Sequence, residues 1–136
     1  MPDFTATAAK QSGEEAFRQA GVTPADIDTV QFYDSFTITA MLMLKDLGFC
    51  EKGEGGSFVE GGTLQLGGQL PLNTNGGALR ACHPGMRGIF LLAEACRQLR
   101  GQAGEAQVDD CELALAFGSG GWLSVIGTVI LGKERR

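Results

Sequence analysis

The chain has 136 residues, the length of one domain, and such a length buries roughly two thirds of the unfolded surface, enough for a real core. Hydrophobic residues make up 43% and charged residues 20%, which excludes a disordered chain. A net charge of −5, from 11 basic and 16 acidic residues, argues against nucleic-acid binding, and no apolar run approaches the about 20 residues of a membrane span.

The start, Met1-Pro2-Asp3, carries neither a basic segment nor an apolar core. No signal peptide is expected, and the expected location is cytoplasmic. From about Thr5 to Ala20 the chain is Ala-rich and reads as a helix, with Ala9, Ala16, Phe17 and Ala20 on its apolar face. Gly13 weakens that helix and Gly21 ends it. Thr23-Pro24-Ala25-Asp26 reads as a short helical turn. Asp28 to Tyr33 (DTVQFY) reads as a strand. Asp34 and Ser35 are both good helix caps. Phe36 to Leu47 is apolar at nearly every position, which predicts a helix buried on most sides and stopped by Gly48.

A glycine-rich excursion follows, about 48–82. Glycine is about 15% of the chain, against a usual value near 7%. Twelve of the 41 residues from Gly48 to Gly88 are glycine. Between Gly55 and Leu79 the only charge is Glu60, so this excursion is expected to lie against something. His83-Pro84-Gly85 opens a second strong helix, to about Arg100, with Ile89, Phe90, Leu92, Ala93, Cys96 and Leu99 inward. Cys111 to Phe117 and Trp122 to Leu131 read as strands joined at Gly118-Ser119-Gly120-Gly121, an antiparallel hairpin. Lys133, Arg135 and Arg136 read as a solvated tail. The order predicts an α/β fold, a mixed sheet covered by helices.

The chemistry rests on few residues. His83, the single histidine, precedes a helix, where free N–H groups and a positive macrodipole favour a neutral imidazole and a nearby anion. Asn73-Thr74-Asn75-Gly76-Gly77 offers backbone amides for close approach to a ligand. Together they make either an oxyanion or acid/base site or a tight turn capped by a histidine. Tyr33 ends a strand, where sheet proteins place active groups, or else closes the core while Asp34 caps a helix. Cys82 adjoins His83, but neighbouring side chains point apart, which disfavours a nucleophile–base pair. Cys50, Cys82, Cys96 and Cys111 form no C-x-x-C pair, so they are expected to be free thiols with no structural metal site. Cys96 and Cys111 read as core filler. Gly118–Gly121 matches neither a nucleophile elbow nor a phosphate loop, and its glycines permit close backbone approach.

Six segments in order, YDSFT (Tyr33–Thr37), DLGFCEKGEGGSFVEGG (Asp46–Gly62), LPLNTNGG (Leu70–Gly77), CHPGM (Cys82–Met86), EACRQLRG (Glu94–Gly101) and GSGG (Gly118–Gly121), resemble the C-terminal half of the thiolase superfamily. Within it the chain is similar to the sterol-carrier-protein-X or lipid-transfer branch. The resemblance implies a thiolase-like half with a mixed five-stranded sheet, stacked on a second half into an αβαβα sandwich. It implies cleavage or formation of a carbon–carbon bond beside a coenzyme A thioester, which is a substrate, with no covalently bound cofactor. By the same resemblance the nucleophilic cysteine lies in the N-terminal half. His83 falls on the family's HP histidine, which activates that cysteine and helps bind the thioester oxygen. Tyr33 falls on the Asn or His of the family's NEAF-type motif and would act as acid/base. Asp34, Asn73, Asn75, Gly76, Gly77, Ser119, Gly120 and Gly121 would line the substrate pocket. Ala116 or Phe117 stands where the family carries a second cysteine.

Two expectations follow. The chain acts only when completed by an N-terminal thiolase half, or pairs with a second copy of itself to cover an apolar face. Alternatively it is a non-catalytic acyl-binding or assembly module whose partner is an OB-fold zinc-ribbon protein.

Overall fold

The computed structural model describes residues 5–134. The expected leader-free start at Met1-Pro2-Asp3 and the tail residues Arg135 and Arg136 lie outside the described residues.

The first helix, α1, is Ala9–Ala20. It buries Ala9, Gly13 and Phe17. Gly13 is a packing device: a Cβ there would lie 2.5 Å from Leu47 Cδ2, so glycine lets α1 press against the chain that ends the second helix. Asp46 pins the segment before α1, accepting 2.7 Å hydrogen bonds from both the Thr7 amide and hydroxyl. The strand β1, Thr29–Phe32, is buried throughout. The helix α2 spans Thr37–Asp46. Its cap is neither Asp34 nor Ser35: Phe36 holds the capping position, and its amide donates to Thr39 Oγ1 at 3.1 Å. The expectation that α2 is buried on most sides is also corrected. It buries Thr39, Met43, Leu44 and Asp46, while Ile38 is 62% exposed.

The glycine-rich excursion is not a structureless loop. It contains the short helices α3 (Gly55–Val59) and α4 (Gly77–Arg80), with a 3₁₀ turn at Glu60–Gly62. It does lie against something. Leu70 is buried in the main core, and Phe58, Val59, Leu64 and Leu72 pack on it. Full burial of a large apolar side chain such as Leu70 contributes about 1.5–3 kcal/mol, and the partly buried ones add less, which offsets the entropy cost of ordering so glycine-rich a segment.

The helix α5, Arg87–Leu99, starts two residues later than expected and is rotated about its axis. Its inward stripe is Arg87, Leu91, Glu94, Ala95, Gln98 and Leu99. Ile89, expected inward, is 60% exposed, and Phe90 is exposed too. The strands β2 (Leu113–Gly120) and β3 (Val125–Gly132) form the expected antiparallel hairpin. The turn is displaced, however. Gly118, Ser119 and Gly120 belong to β2, and the four connecting residues are Gly121 to Ser124.

Among the described residues the sheet has three strands in the order β1-β2-β3, with β1 parallel to β2. The five-stranded sheet is therefore corrected to three strands and one isolated bridge, Val30 to Leu72. That fourth edge cannot extend. Pro71 has no N–H to donate, and Asn73 leaves the extended region with φ 50. Residues alternate along the sheet between two cores. Val30, Phe32, Leu113, Leu115 and Phe117 face α1 and α2. Ala114, Ala116 and Tyr33 face Leu91, Ala95 and Leu99 of α5. Phe32 and Phe117 meet edge-on across the parallel pair, 5.7 Å between ring centres.

Candidate active site

Tyr33 is the first residue past β1, and its amide donates to Phe117 O at 3.0 Å, which holds it at the carboxyl end of the sheet. His83 lies in the connection between α4 and α5. The two rings meet, 6.1 Å between centres and 53° between planes. Tyr33 is half-buried and His83 exposed. Two segments 50 positions apart thus bring a phenol and an imidazole together at the strand end.

The Asn73–Gly77 loop is built against the same end of β1. Asn73 is buried, its amide donates to Val30 O at 2.9 Å, and its Oδ1 accepts from the Phe32 amide at 2.7 Å. The Gly76 amide donates to Asn73 O at 2.7 Å and the Gly77 amide to Asn75 Oδ1 at 3.0 Å. Asp34, only 4% exposed, accepts from the Ala78 amide at 2.7 Å and the Leu79 amide at 3.3 Å. It caps α4, a carboxylate on the positive end of a helix. The amides of Asn73, Gly76 and Gly77 are therefore engaged within the chain and are not free to form an oxyanion hole in this arrangement.

Behind the loop lies a polar network that the sequence reading missed. Thr74 Oγ1 donates to Glu94 Oε1 at 2.7 Å and accepts from Gln98 Nε2 at 2.9 Å. Gln98 also donates to Ala106 O at 2.7 Å and accepts from the Val108 amide at 2.8 Å. Glu94 and Gln98 are both buried. Their signal was an i, i+4 polar pair inside the apolar stripe of α5. Such a network ties the loop to α5, which begins four residues after His83.

On the other side of Tyr33 opens a cavity of about 550 Å³, lined by Tyr33, Ser35, Phe36, Thr39, Ser119, Gly120, Gly121, Trp122 and Leu123. The expected residues thus divide around Tyr33. Ser119, Gly120 and Gly121 line the cavity, whereas Asp34, Asn73, Asn75, Gly76 and Gly77 support the flank. Phe36, Trp122 and Leu123 are cavity residues that sequence reasoning did not find. A second depression of about 670 Å³, between α1 and the end of α2, contains none of these residues.

The four cysteines are free thiols. Burial and the carboxylates of Asp28 and Glu112 push the Cys111 thiol up to about 11. Burial, with the nearby Glu51 carboxylate, also raises Cys50. Both are poor nucleophiles at neutral pH. No group of three or more metal-ligating side chains occurs among the described residues, and no described helix is long and apolar enough to cross a membrane.

A three-stranded α/β half that sets an HP-motif histidine against a strand-end tyrosine, beside an apolar cavity, defines a thiolase-type C-terminal domain. The chain belongs to the thiolase C-terminal domain-like family, whose model matches residues 1–133. It is 43% identical over 120 residues to an acetyl-CoA acetyltransferase of Methanothermobacter thermautotrophicus, covering 88% of this chain and 30% of that protein. It is 36% identical over 112 residues to human sterol carrier protein 2, covering 82% of this chain and 20% of that protein. It is 38% identical over 124 residues to a steroid side-chain-cleaving aldolase of Thermomonospora curvata, covering 90% of this chain and 30% of that protein. Among solved structures, the Ltp2-ChsH2(DUF35) aldolase superposes with a TM-score of 0.86 at 31% identity, over 99% of this chain and 35% of that one. These relatives fit the sterol-carrier branch of thiolase-like proteins. The chain spans about a third or less of the length of each of these proteins.

Proposed function

We propose that this chain is the C-terminal half of a thiolase-like enzyme that cleaves or forms a carbon–carbon bond beside a coenzyme A thioester, with the nucleophilic cysteine supplied by an N-terminal thiolase half. The observation that carries this reading is the Tyr33–His83 pair, 6.1 Å between ring centres at the strand end. Tyr33 transfers the proton, and His83 orients and activates. In a retro-aldol step the Tyr33–His83 pair takes up the β-hydroxyl proton as the Cα–Cβ bond breaks, with the imidazole as the basic member and the phenol relaying. The bonding pair passes into the thioester enolate, which takes that proton back from the pair at Cα. In thiolysis a thiolate adds to the β-carbonyl and the same enolate leaves, so one pair of residues serves either cleavage.

Two further observations support the reading. Burial raises the thiols of Cys111 and Cys50, which disfavours the thiolate that a nucleophile needs. Met86, just before α5, and Ile89 and Phe90 on its outer side leave apolar surface exposed, as does β3 at Val125 and Val129, a surface suited to a second half.

The test combines the chain with a nucleophile-bearing N-terminal half and follows β-oxo and β-hydroxy acyl-CoA by product. His83→Ala is expected to lower turnover at least about 100-fold. Unchanged turnover removes His83 from the mechanism.

A second reading is a non-catalytic acyl-binding or assembly module that partners an OB-fold zinc-ribbon protein. Buried Ala116 and Phe117, which carry no thiol where the family has one, support it, as does the presence of ChsH2(DUF35) in the structural neighbour's name. Copurification with such a partner, while Tyr33 and His83 tolerate substitution, favours this reading.

A further inference from the structure

Arg87 opens α5 on its inward stripe and is only 7% exposed. Its Nε and Nη2 are buried and have no hydrogen-bond partner among the described residues. Nor does it take part in any ion pair among them. The carboxylate on the same stripe, Glu94, lies two turns away and is held by Arg97 Nη1 at 2.9 Å and by Thr74. Gln31 Oε1 and Asn73 Nδ2 are also buried without a partner, but they belong to neutral amides. A buried cation is far costlier unless an anion compensates it.

The neighbours of Arg87 fix its place. Its amide donates to Pro84 O at 3.0 Å, which closes the turn that carries His83. The next residue, Gly88, packs on Gly118, where a Cβ would lie 3.7 Å from Gly88 Cα. Gly118 follows Phe117, whose carbonyl accepts the Tyr33 amide at 3.0 Å. Leu91, one turn further along the stripe, belongs to the core against which Tyr33 packs. Helical side chains lean toward the helix N-terminus, so the guanidinium leans away from Leu91 and toward the His83 turn. The cation is thus set at the strand end that carries the Tyr33–His83 pair, on the positive end of the α5 dipole.

Such a cation lacks an anion, and the reaction makes one. When the Cα–Cβ bond breaks, the bonding pair leaves a negative charge on the thioester enolate. The amides of Asn73, Gly76 and Gly77 are engaged inside the chain and do not receive it. A dry cation without a counter-ion in the resting state favours the state in which its partner appears.

We propose that Arg87 is an oxyanion site, and that its guanidinium receives the negative charge of the thioester enolate as the carbon–carbon bond breaks. The proposal rests on reading Tyr33 and His83 as the proton-transfer pair. No proton passes through Arg87. The guanidinium holds the enolate oxygen until the pair returns the proton to Cα.

The first arm of the test needs no turnover. The purified chain is unfolded by heat in acetoacetate and, at equal ionic strength, in chloride. Neutral methyl acetoacetate controls for shape. A carboxylate matches the planar fork of a guanidinium. Acetoacetate is expected to raise the midpoint by about 2 °C or more, and neither chloride nor the ester is expected to do so. Arg87→Met is expected to abolish that rise. Without the anion it is expected to unfold no earlier than the parent, because an uncompensated buried charge is gone. Arg87→Lys is expected to keep part of the rise. Equal rises in parent and Arg87→Met overturn the site, as does an Arg87→Met chain that unfolds markedly earlier.

The second arm uses the chain completed by a nucleophile-bearing N-terminal half, with kcat and KM measured separately. Arg87→Met is expected to lower kcat at least about 100-fold. KM is expected to stay within about threefold, because the charge is met only as the enolate forms. Arg87→Lys is expected to recover at least about tenfold of that loss. A raised KM at unchanged kcat overturns the enolate assignment, since the guanidinium then serves an anion of the ground state. Weaker binding of the N-terminal half at unchanged kcat also overturns it and makes Arg87 a contact between the halves. Turnover lost in His83→Ala but kept in Arg87→Met leaves the Tyr33–His83 reading standing and removes this one. A completed parent enzyme without turnover removes the catalytic reading and the enolate with it, and the acetoacetate arm then decides the anion site alone.

Discussion

The ring of Tyr33 stands 6.1 Å from the ring of His83, centre to centre, although 50 positions separate them in the chain. One residue comes from the end of a buried strand and the other from the approach to α5. Groups that serve one proton-transfer event lose their effects together when removed. Tyr33→Phe and His83→Ala are each expected to reduce turnover of the completed enzyme by about 10²–10⁴-fold. The double variant is expected to fall no more than about tenfold below the weaker single one. Fully multiplicative losses, measured as kcat/KM, would mean that the two act independently.

Asp34 supports the site from beneath. Its two oxygens accept from Ala78 and Leu79 at 2.7 and 3.3 Å, and it is nearly inaccessible to solvent. Asp34→Ala leaves both amides unpaired and is expected to cost about 1–3 kcal/mol in denaturant unfolding. Asp34→Asn retains one acceptor and is expected to recover part of that loss. Equal stability of both variants with the parent would mean that α4 does not depend on this cap.

Gly77 is wedged between two of these side chains. A Cβ there would lie 2.2 Å from Asp34 Oδ2 and 2.7 Å from Asn73 Nδ2, and the backbone has φ 69. Gly77→Ala is expected to cost about 2 kcal/mol or more in thermal or denaturant unfolding, from left-handed strain and displaced neighbours. Gly56→Ala, in open space, is the control and is expected to be neutral.

Cys111 gives a pH signature. Its thiol is pushed from the ordinary 9.0 to about 11, chiefly by burial. The folded chain therefore keeps its proton where the unfolded chain has lost it. The resulting stability is complete below pH 9 and is lost as pH rises through 11, by about 2 kcal/mol. Cys111→Ala is expected to flatten that alkaline decline in unfolding curves taken between pH 8 and 11. In thiol labelling at pH 8, exposed Cys82 is expected to react first, and Cys111 only on unfolding.

Much of the fold was legible because its signals are local. The β-branched and aromatic run of β1, the apolar stretch of α2 and the hairpin of β2 and β3 all lie where the periodicity puts them. The errors have physical causes. α5 is rotated because Glu94 and Gln98 are buried through hydrogen bonds to Thr74, Ala106 and Val108, and a hydrophobicity pattern cannot foresee such partners. The hairpin turn was misplaced because Gly118–Gly120 tolerate the extended backbone, whereas Trp122 and Leu123 take a left-handed turn that their propensities oppose. The missing sheet edge traces to Pro71 and to the conformation of Asn73. Tyr33 and His83 are marked in the sequence by motif, Tyr33 just past the end of β1 and His83 in the connection that leads into α5. Phe36 and Trp122 are not, because nothing local marks two exposed aromatic residues as walls of one cavity.

The most direct test of the central claim is the rate of acyl-CoA carbon–carbon cleavage in three samples: this chain, a nucleophile-bearing N-terminal thiolase half, and the two together. The account predicts turnover in the mixture alone. Robust cleavage by this chain without the other half would contradict it.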